Sequence, residues 1–333
     1  MNATKLSPLK LFVWLVRFLL ILLLAWYLWC LSLPAGDGSI IRDISFPAGS
    51  GIRKLAAELK LHGIIRSRWH FILVSRLRGH AHHLKAGDYR FNDSMTTPDI
   101  LKKLVDGDVD YRRFVLPEGY SIFQAAELLD QKGYFKRDDF LRACSDSGVL
   151  QRLNIHAASP EGYLYPATYN LSRDDKVEQL LAQMAGQSEK IYAEVRGKDQ
   201  ASRVDRHEIL TLASIIEKEA VSPEEKPLIS SVFHNRLRIG MPLQSDPTAV
   251  YGVRAFQGKV TGADIRRKSP YNTYLVKGLP PGPIGNPGAD AMRAALHPAD
   301  TKYLYFVARK DGTHQFSRTL EEHNRAVARY LKH

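Results

Sequence analysis

The sequence predicts an α+β protein: one N-terminal transmembrane helix, a small α+β module, and a mainly helical larger domain that ends in a β-hairpin. Three observations predict it, namely one long apolar stretch near the N terminus, short strands that alternate with amphipathic helices after it, and mostly helical periodicity in the remainder. With 333 residues, 44% of them hydrophobic and 25% charged, the chain has room for two or three domains with ordinary cores. We expect the boundaries to fall at 1–10, 11–33, 34–112 and 113–333.

The transmembrane helix is predicted over Leu11–Leu33, which carries a single charge, Arg17. At 1.5 Å per residue this stretch is about 35 Å long, enough to cross a hydrocarbon core. Basic residues stand on its N-terminal side, which predicts a cytoplasmic N terminus and an exported body. Trp29 and Cys30 stand where signal peptidase needs small residues, which favours a retained anchor over a cleaved signal peptide. Although the net charge of +12 suits an anionic partner, export argues against nucleic acid.

The small module at 34–112 is predicted from alternating strand and helix signals. Apolar residues at helical spacing mark three helices, and a glycine follows each of them. In order, the expected elements are a strand over Ile40–Phe46, helices over Gly51–Leu61 and Trp69–Leu77, a strand over Gly87–Phe91, a helix between Thr97 and Gly107, and a strand over Val109–Leu116.

The larger domain at 113–333 is predicted to be mainly helical. Its expected helices run from Ser121 to Lys132, over Arg137–Cys144, Asp174–Val195 and His207–Ala220, and from Ser222 to Ile239, where Ser222 and Glu225 would form a capping box. A hairpin of strands Tyr303–Ala308 and His314–Phe316 precedes a last helix capped by Thr319. Residues 241–290 show little regular periodicity, and irregular segments of that length in compact domains are often functional.

A candidate catalytic carboxyl lies on the helix His207–Ala220. Helical geometry places Glu217 on one shoulder of its apolar face and Glu219 on the other, about 160° apart, so the two do not form a facing pair. A carboxyl group among aliphatic side chains is harder to ionise, which suits a general acid near neutrality. The alternative for Glu217 is an ion pair with a basic residue of the next helix, such as Arg236.

Other residues suit sugar chemistry less specifically. Asp246, which precedes a proline, could be the second carboxylate of a glycosidase or an ordinary turn residue. The loops 163–169 and 271–274 combine tyrosine with Asn and Thr, which fits a sugar but equally fits packing of the loops onto the body. The histidines at 80, 82 and 83 are typical of a solvated turn, and zinc, P-loop and dinucleotide motifs are absent from the sequence. We expect no cofactor and no metal site.

Motifs distributed in order along the chain resemble a known family. They are Lys85–Phe91, Leu116–Gly119, Glu161–Pro166, Leu212–Glu219, Ser231–Leu237, Leu243–Thr248, Ser269–Tyr274, Gly278–Ile284 and Asn286–Gly288. Together they are similar to the YceG-like family of peptidoglycan lytic transglycosylases, over about residues 35–332. The resemblance implies a LysM-like module at 34–112, a catalytic domain at 113–333 and Glu217 as the single catalytic residue. Residues implied or suggested for substrate binding are Ser214, Glu219, Asn235, Gln244, Asp246, Tyr271, Asn272, Thr273, Tyr274, Glu161 and Tyr165.

The resemblance also implies a reaction and a location. Glu217 would protonate the bond between N-acetylmuramic acid and N-acetylglucosamine and then take the proton of the muramic C6 hydroxyl, leaving a 1,6-anhydro end. The enzyme would be anchored in the inner membrane with its catalytic domain in the periplasm, where it would terminate nascent peptidoglycan strands beside peptidoglycan synthases. Two alternatives stay open: a water-using muramidase with Asp246 as base, and a non-catalytic, membrane-tethered peptidoglycan-binding protein.

Overall fold

The computed structural model describes residues 8–47, 49–197, 205–254 and 259–331. These residues form two compact units. The first unit comprises the chain up to Arg112 together with Ser172–Asp174, and the second comprises Arg113–Leu171 and Asp175–His333.

The first helix, α1, covers Pro8–Ser32. Among the residues that the structure describes, no helix combines the length and the apolar character that crossing a membrane requires. The transmembrane span predicted over Leu11–Leu33 is therefore not confirmed.

Two antiparallel strands and three helices make up the rest of the first unit. They are β1 (Ile41–Phe46), α2 (Ile52–Leu61), α3 (Arg68–Leu77), β2 (Gly87–Asn92) and α4 (Thr97–Asp106). Ile44 of β1 lies opposite Tyr89 of β2. Because alternate residues of a strand point to opposite faces, Ile44 and Phe46 both enter the core, where Phe71 and Leu101 are also buried. The predicted strands and helices of this region are confirmed to within a few residues, but the last strand is shorter.

The second unit contains fourteen of the described elements. They are β3 (Arg112–Val115, whose first residue belongs to the first unit), α5 (Ile122–Gln131), α6 (Arg137–Ser145), α7 (Ser147–Arg152), β4 (Thr168–Leu171), α8 (Val177–Arg196), α9 (Arg206–Glu219), α10 (Lys226–Arg238), α11 (Asp246–Val250), α12 (Gly262–Arg266), α13 (Ala289–Leu296), β5 (Tyr305–Ala308), β6 (His314–Ser317) and α14 (Leu320–Tyr330). Strand β3 pairs with β4, and β5 pairs with β6 as the predicted hairpin.

Helix α9 is the centre of this unit. Every residue from Ile209 to Ile216 is buried, so the helix is covered on all sides rather than along the single stripe that its periodicity indicates. Helices α10 and α13 pack against it. A helix in that position can direct side chains from its last turn into the interior of the domain.

Two sequence predictions for this unit are wrong, and one strand was not predicted. Ser222 makes no capping hydrogen bond, because Pro223–Glu225 form a 3-10 turn and α10 begins only at Lys226. The carboxylate of Glu225 instead accepts hydrogen bonds from the backbone N–H and from Nδ1 of His314, both at 2.8 Å. The segment 241–290 is not wholly irregular, since α11 and α12 lie within it and α13 begins at its end. Strand β4, within the aromatic segment, had no recognisable sequence signal.

Candidate active site

The two glutamates at the C-terminal end of α9 face different surroundings. The helix ends at Glu219 because Ala220 adopts an extended backbone conformation. Side chains two residues apart on a helix diverge strongly, so Glu217 and Glu219 meet different neighbours.

Glu217 is held as an ion pair. Its side chain is 7% exposed, and its Oε1 lies 2.8 Å from Nζ of Lys226, which is 6% exposed. Its Oε2 accepts a hydrogen bond of 2.9 Å from the backbone N–H of Gly288. Glu118 adds a second carboxylate 3.9 Å from the same ammonium. Arg236, the partner considered from the sequence, instead donates to backbone carbonyls. Both carboxylate oxygens of Glu217 are thus occupied by contacts within the protein.

Close backbone packing fixes the loop that supplies Gly288. A Cβ on Gly285 would lie 2.4 Å from the carbonyl oxygen of Gly119, so only glycine fits there. Asn286 accepts a hydrogen bond from Gly119 N–H and donates to the carbonyl of Tyr120. Two of the motifs noted in the sequence, at 116–119 and 286–288, therefore meet beside Glu217.

Glu219 has the properties of a general acid. Burial raises the pKa of its carboxyl to about 7, and the negative charge of Asp246 acts in the same direction. Ser245 Oγ donates a hydrogen bond to the carboxylate, and the charge of Arg236 opposes the rise. The residue stays partly exposed. A raised pKa favours the protonated form near neutrality, as proton donation to a substrate requires.

Two loops meet next to Glu219. The hydroxyl of Tyr274 donates a 2.6 Å hydrogen bond to Asp246. The backbone N–H of Ser245 donates to Thr273 Oγ1, and that of Gln244 donates to the carbonyl of Thr273. Gln244 is exposed and has a φ of 51°, a left-handed conformation that is rare for residues other than glycine and recurs at functional sites. The structure thus groups Gln244, Asp246, Thr273 and Tyr274 with Glu219, as a cleft would require.

Three predicted site residues have their polar groups in contacts within the protein. Ser214 is buried and accepts a hydrogen bond from the backbone N–H of Ile284. The amide of Asn235 donates to two backbone carbonyls that precede β5. Asn272 is fully buried and donates to three carbonyls in and next to α12. In this structure these groups position loops; their predicted contact with substrate stays a prediction.

Glu161, Tyr165 and Tyr271 complete the predicted set. Glu161 is 2% exposed and accepts hydrogen bonds from the backbone N–H of Ile122 and, at 2.9 Å, from the hydroxyl of Tyr251. Burial raises its pKa to about 7. Tyr271 packs on Tyr251, with 4.6 Å between ring centroids. Burial and the charge of a nearby glutamate raise the pKa of Tyr165. Glu161 ties α5 to the loop after α11, and its predicted substrate contact also stays a prediction.

The buried carboxyl of Glu161 is expected to make stability depend on pH. Because its pKa is raised in the folded state, it stabilises the fold fully below its unfolded value and loses that effect as pH rises through about 7. We expect Glu161→Gln to reduce the difference in unfolding free energy between pH 5 and pH 8 by about 2 to 3 kcal/mol. Urea unfolding at the two pH values measures this difference in unfolding free energy. The exposed Glu208→Gln is the control, and equal pH dependence in wild type and Glu161→Gln would contradict the expectation.

The sequence reasoning missed Lys226, Glu118 and Ser245 as functional candidates. Lys226 reaches Glu217 only because the 3-10 turn brings the start of α10 back to the end of α9, a path that periodicity does not reveal. Glu118 and Ser245 lie within motifs noted from the sequence, which was the available signal. Over the described ranges, no group of three or more His, Cys, Asp or Glu side chains is placed to hold a metal ion.

Comparison with known proteins identifies the family of this chain. The sequence matches the YceG-like family over residues 44–329. The chain belongs to the YceG-like family. A relative in Bacillus subtilis, named endolytic murein transglycosylase, is 34% identical over 89% of this chain and 86% of its own length. A Streptococcus pneumoniae protein of the same name is 30% identical over 86% of this chain, which spans 58% of that longer protein. The crystal structure of a YceG-like protein of Listeria monocytogenes superposes with a TM-score of 0.60 at 35% identity, covering 86% of this chain and 98% of that one.

Proposed function

We propose that this YceG-like protein is an endolytic murein transglycosylase, a lyase that cuts the glycan strands of peptidoglycan. The observation that carries the proposal is the pair of acidic side chains at the end of α9 and at the start of α11: Glu219 accepts a hydrogen bond from Ser245, and the neighbouring Asp246 is held by Tyr274. The names of the relatives in Bacillus subtilis and Streptococcus pneumoniae support the same activity.

In the proposed mechanism one carboxyl group serves both steps. Protonated Glu219 donates to the oxygen that links N-acetylmuramic acid to N-acetylglucosamine, and positive charge develops at the muramic C1. The Asp246 carboxylate, held by Tyr274, stabilises that charge. The Glu219 carboxylate then removes the proton of the muramic C6 hydroxyl as that oxygen bonds to C1. The nucleophile belongs to the substrate, so the product carries a 1,6-anhydro ring and no water is consumed.

The choice of Glu219 differs from the sequence-based assignment to Glu217, which stays the alternative. A general acid must exchange a proton with the substrate. The carboxylate of Glu217 is bonded through both oxygens, to Lys226 and Gly288, whereas Glu219 accepts a hydrogen bond from Ser245 and burial raises its pKa. The environments therefore favour Glu219 as the acid and Glu217 as the residue that holds the 278–288 loop to α9 and α10.

The chemistry of the product ends tests the proposal. Purified full-length protein in detergent is incubated with uncrosslinked peptidoglycan strands, and the released fragments are analysed by mass spectrometry. We expect internal cleavage and 1,6-anhydro-muramic ends. Reducing ends would instead indicate a muramidase that uses water, with Asp246 as candidate base. Binding without cleavage would indicate a non-catalytic, membrane-tethered peptidoglycan-binding protein.

The cellular setting is part of the proposal. We infer attachment to the inner membrane through residues 11–33, with the catalytic domain in the periplasm and the LysM-like module at 34–112 between them. The apolar composition of 11–33 and the basic residues before it support this orientation. Alkaline carbonate extraction tests the attachment, and release into the soluble fraction would contradict it. Termination of nascent strands beside peptidoglycan synthases is the role that the family resemblance predicts.

A further inference from the structure

A cleft of about 350 Å³ opens between α5, the end of α9 and the segment after α11. Phe123 and Tyr251 supply aromatic surface, and Gln124 and Lys218 supply polar groups. Pro247, which also lines the cleft, directly follows Asp246 in the chain. Lys218 lies between Glu217 and Glu219 in the chain, so the last turn of α9 carries both candidate acids and one wall of the cleft. The volume of the cleft is at the lower end of the range for ligand pockets, about 300–1,000 Å³.

Lys218 is the unusual member of this lining. Its ammonium is removed from most solvent, and this burial lowers its pKa. Within the described part of the chain, its hydrogen-bond partner is Gln124 Oε1, at 3.5 Å, the upper limit for such a bond. No carboxylate of the described residues lies within ion-pair distance of Lys218. An ammonium has three donors, and leaving donors unfilled in a buried position is costly unless a ligand fills them.

The other charges of the cleft are already compensated. Arg137 pairs with Glu127 and with Asp138, and Arg254 pairs with Asp264. Lys218 is thus a cation of the cleft lining that forms no ion pair within the described residues, and the charges of Glu161 and Glu217 act on it from beyond ion-pair distance. Such a site fits an anion with an apolar backbone better than it fits the neutral hydroxyl groups of a sugar.

We infer that Lys218 binds a carboxylate of the peptide carried by the glycan strand, and that this contact makes the enzyme prefer peptide-bearing strands over stripped ones. The inference rests on the proposed function. In peptidoglycan the peptide is attached through the lactyl group on C3 of N-acetylmuramic acid, on the same ring as the C1 atom that reacts. A peptide leaving that ring therefore starts within a few ångströms of the reacting bond, and the cleft shares the last turn of α9 with both candidate acids.

Paired substrates test this preference. Initial rates are measured for full-length protein on uncrosslinked strands and on the same strands stripped of peptides by an amidase, with the lactyl carboxyl that the amidase exposes capped as its methylamide. We expect the wild-type kcat/KM to be about tenfold or more higher on the peptide-bearing strands, and Lys218→Met to bring this ratio close to one through KM, without changing the rate on stripped strands. Lys218→Arg, which keeps the charge, should retain most of the preference. The exposed Lys132→Met is the matched control.

A wild-type ratio near one, or a ratio that Lys218→Met leaves unchanged, overturns the inference. Circular dichroism checks that each variant is folded, and Lys218→Gln replaces the methionine variant if that one is not. Binding of soluble muramyl tripeptide, which contains no glycosidic bond between two sugars, is measured by calorimetry and does not depend on the proposed catalysis. We expect Lys218→Met to weaken it about tenfold or more. If no strand is cleaved, the proposed function fails, and the binding of muramyl tripeptide then decides on the inference. The inference is overturned if the wild type does not bind the tripeptide, or if Lys218→Met binds it with an unchanged Kd.

Discussion

Glu219→Gln is expected to lower the rate of strand cleavage by at least about 10³-fold while leaving the fold intact. The amide accepts the hydrogen bond from Ser245 as the carboxylate does, but it donates no proton to the glycosidic oxygen and removes none from the C6 hydroxyl. Because one group serves both steps, both are lost together. Cleavage of uncrosslinked strands, followed by mass spectrometry of the ends, measures the effect.

The pH dependence of the wild-type enzyme gives an independent check on Glu219. The acid form of a group with a pKa of about 7 is lost as pH rises through that value, so kcat/KM should fall on the alkaline side of about pH 7. Asp246→Asn removes a negative charge that raises this pKa, and should move the fall to lower pH. If Glu219→Gln keeps wild-type activity, Glu219 is not the acid.

Lys226→Met is expected to destabilise the protein by about 3 to 5 kcal/mol. Lys226 and Glu217 are both nearly covered, so removing the ammonium leaves the carboxylate of Glu217 buried with the backbone N–H of Gly288 as its remaining described hydrogen-bond partner. The cost comes from that uncompensated charge rather than from the loss of one contact. Urea unfolding at pH 7 measures it, and the exposed Lys132→Met serves as control. A loss below about 1 kcal/mol would show that water compensates the charge, contrary to the expectation.

The double variant Glu217→Gln/Lys226→Met separates structure from catalysis. Replacing both members of a buried ion pair by uncharged residues of similar size is often nearly neutral, so we expect it to be more stable than Lys226→Met alone. If Glu219 is the acid, the double variant should keep most of its cleavage activity. A folded double variant without activity, together with an active Glu219→Gln, would identify Glu217 as the acid, as the sequence alone suggested.

Much of the local structure followed from the sequence. The cap of α3 by Ser67, the glycine that ends α4 and the capping box of α14 at Thr319 were readable because each depends on residues a few positions apart. The same holds for the hairpin of β5 and β6, whose turn is encoded locally. The capping box predicted at Ser222 failed because a distant residue, His314, binds the carboxylate of Glu225.

In the candidate site, too, the sequence predicts the local features, and the tertiary structure decides which distant residues meet. From the sequence alone came the α+β class, the family, the helix that carries two glutamates and the loops that surround one of them. The structure alone assigned an environment to each glutamate: Lys226 and Gly288 meet Glu217, and Ser245 and Asp246 lie beside Glu219. Helical periodicity fixes the direction in which a side chain leaves its helix, but its partners come from chain segments distant in sequence. Whether a carboxyl group is ionised depends on those partners, and so only the tertiary structure separates the paired carboxylate from the one suited to donate a proton.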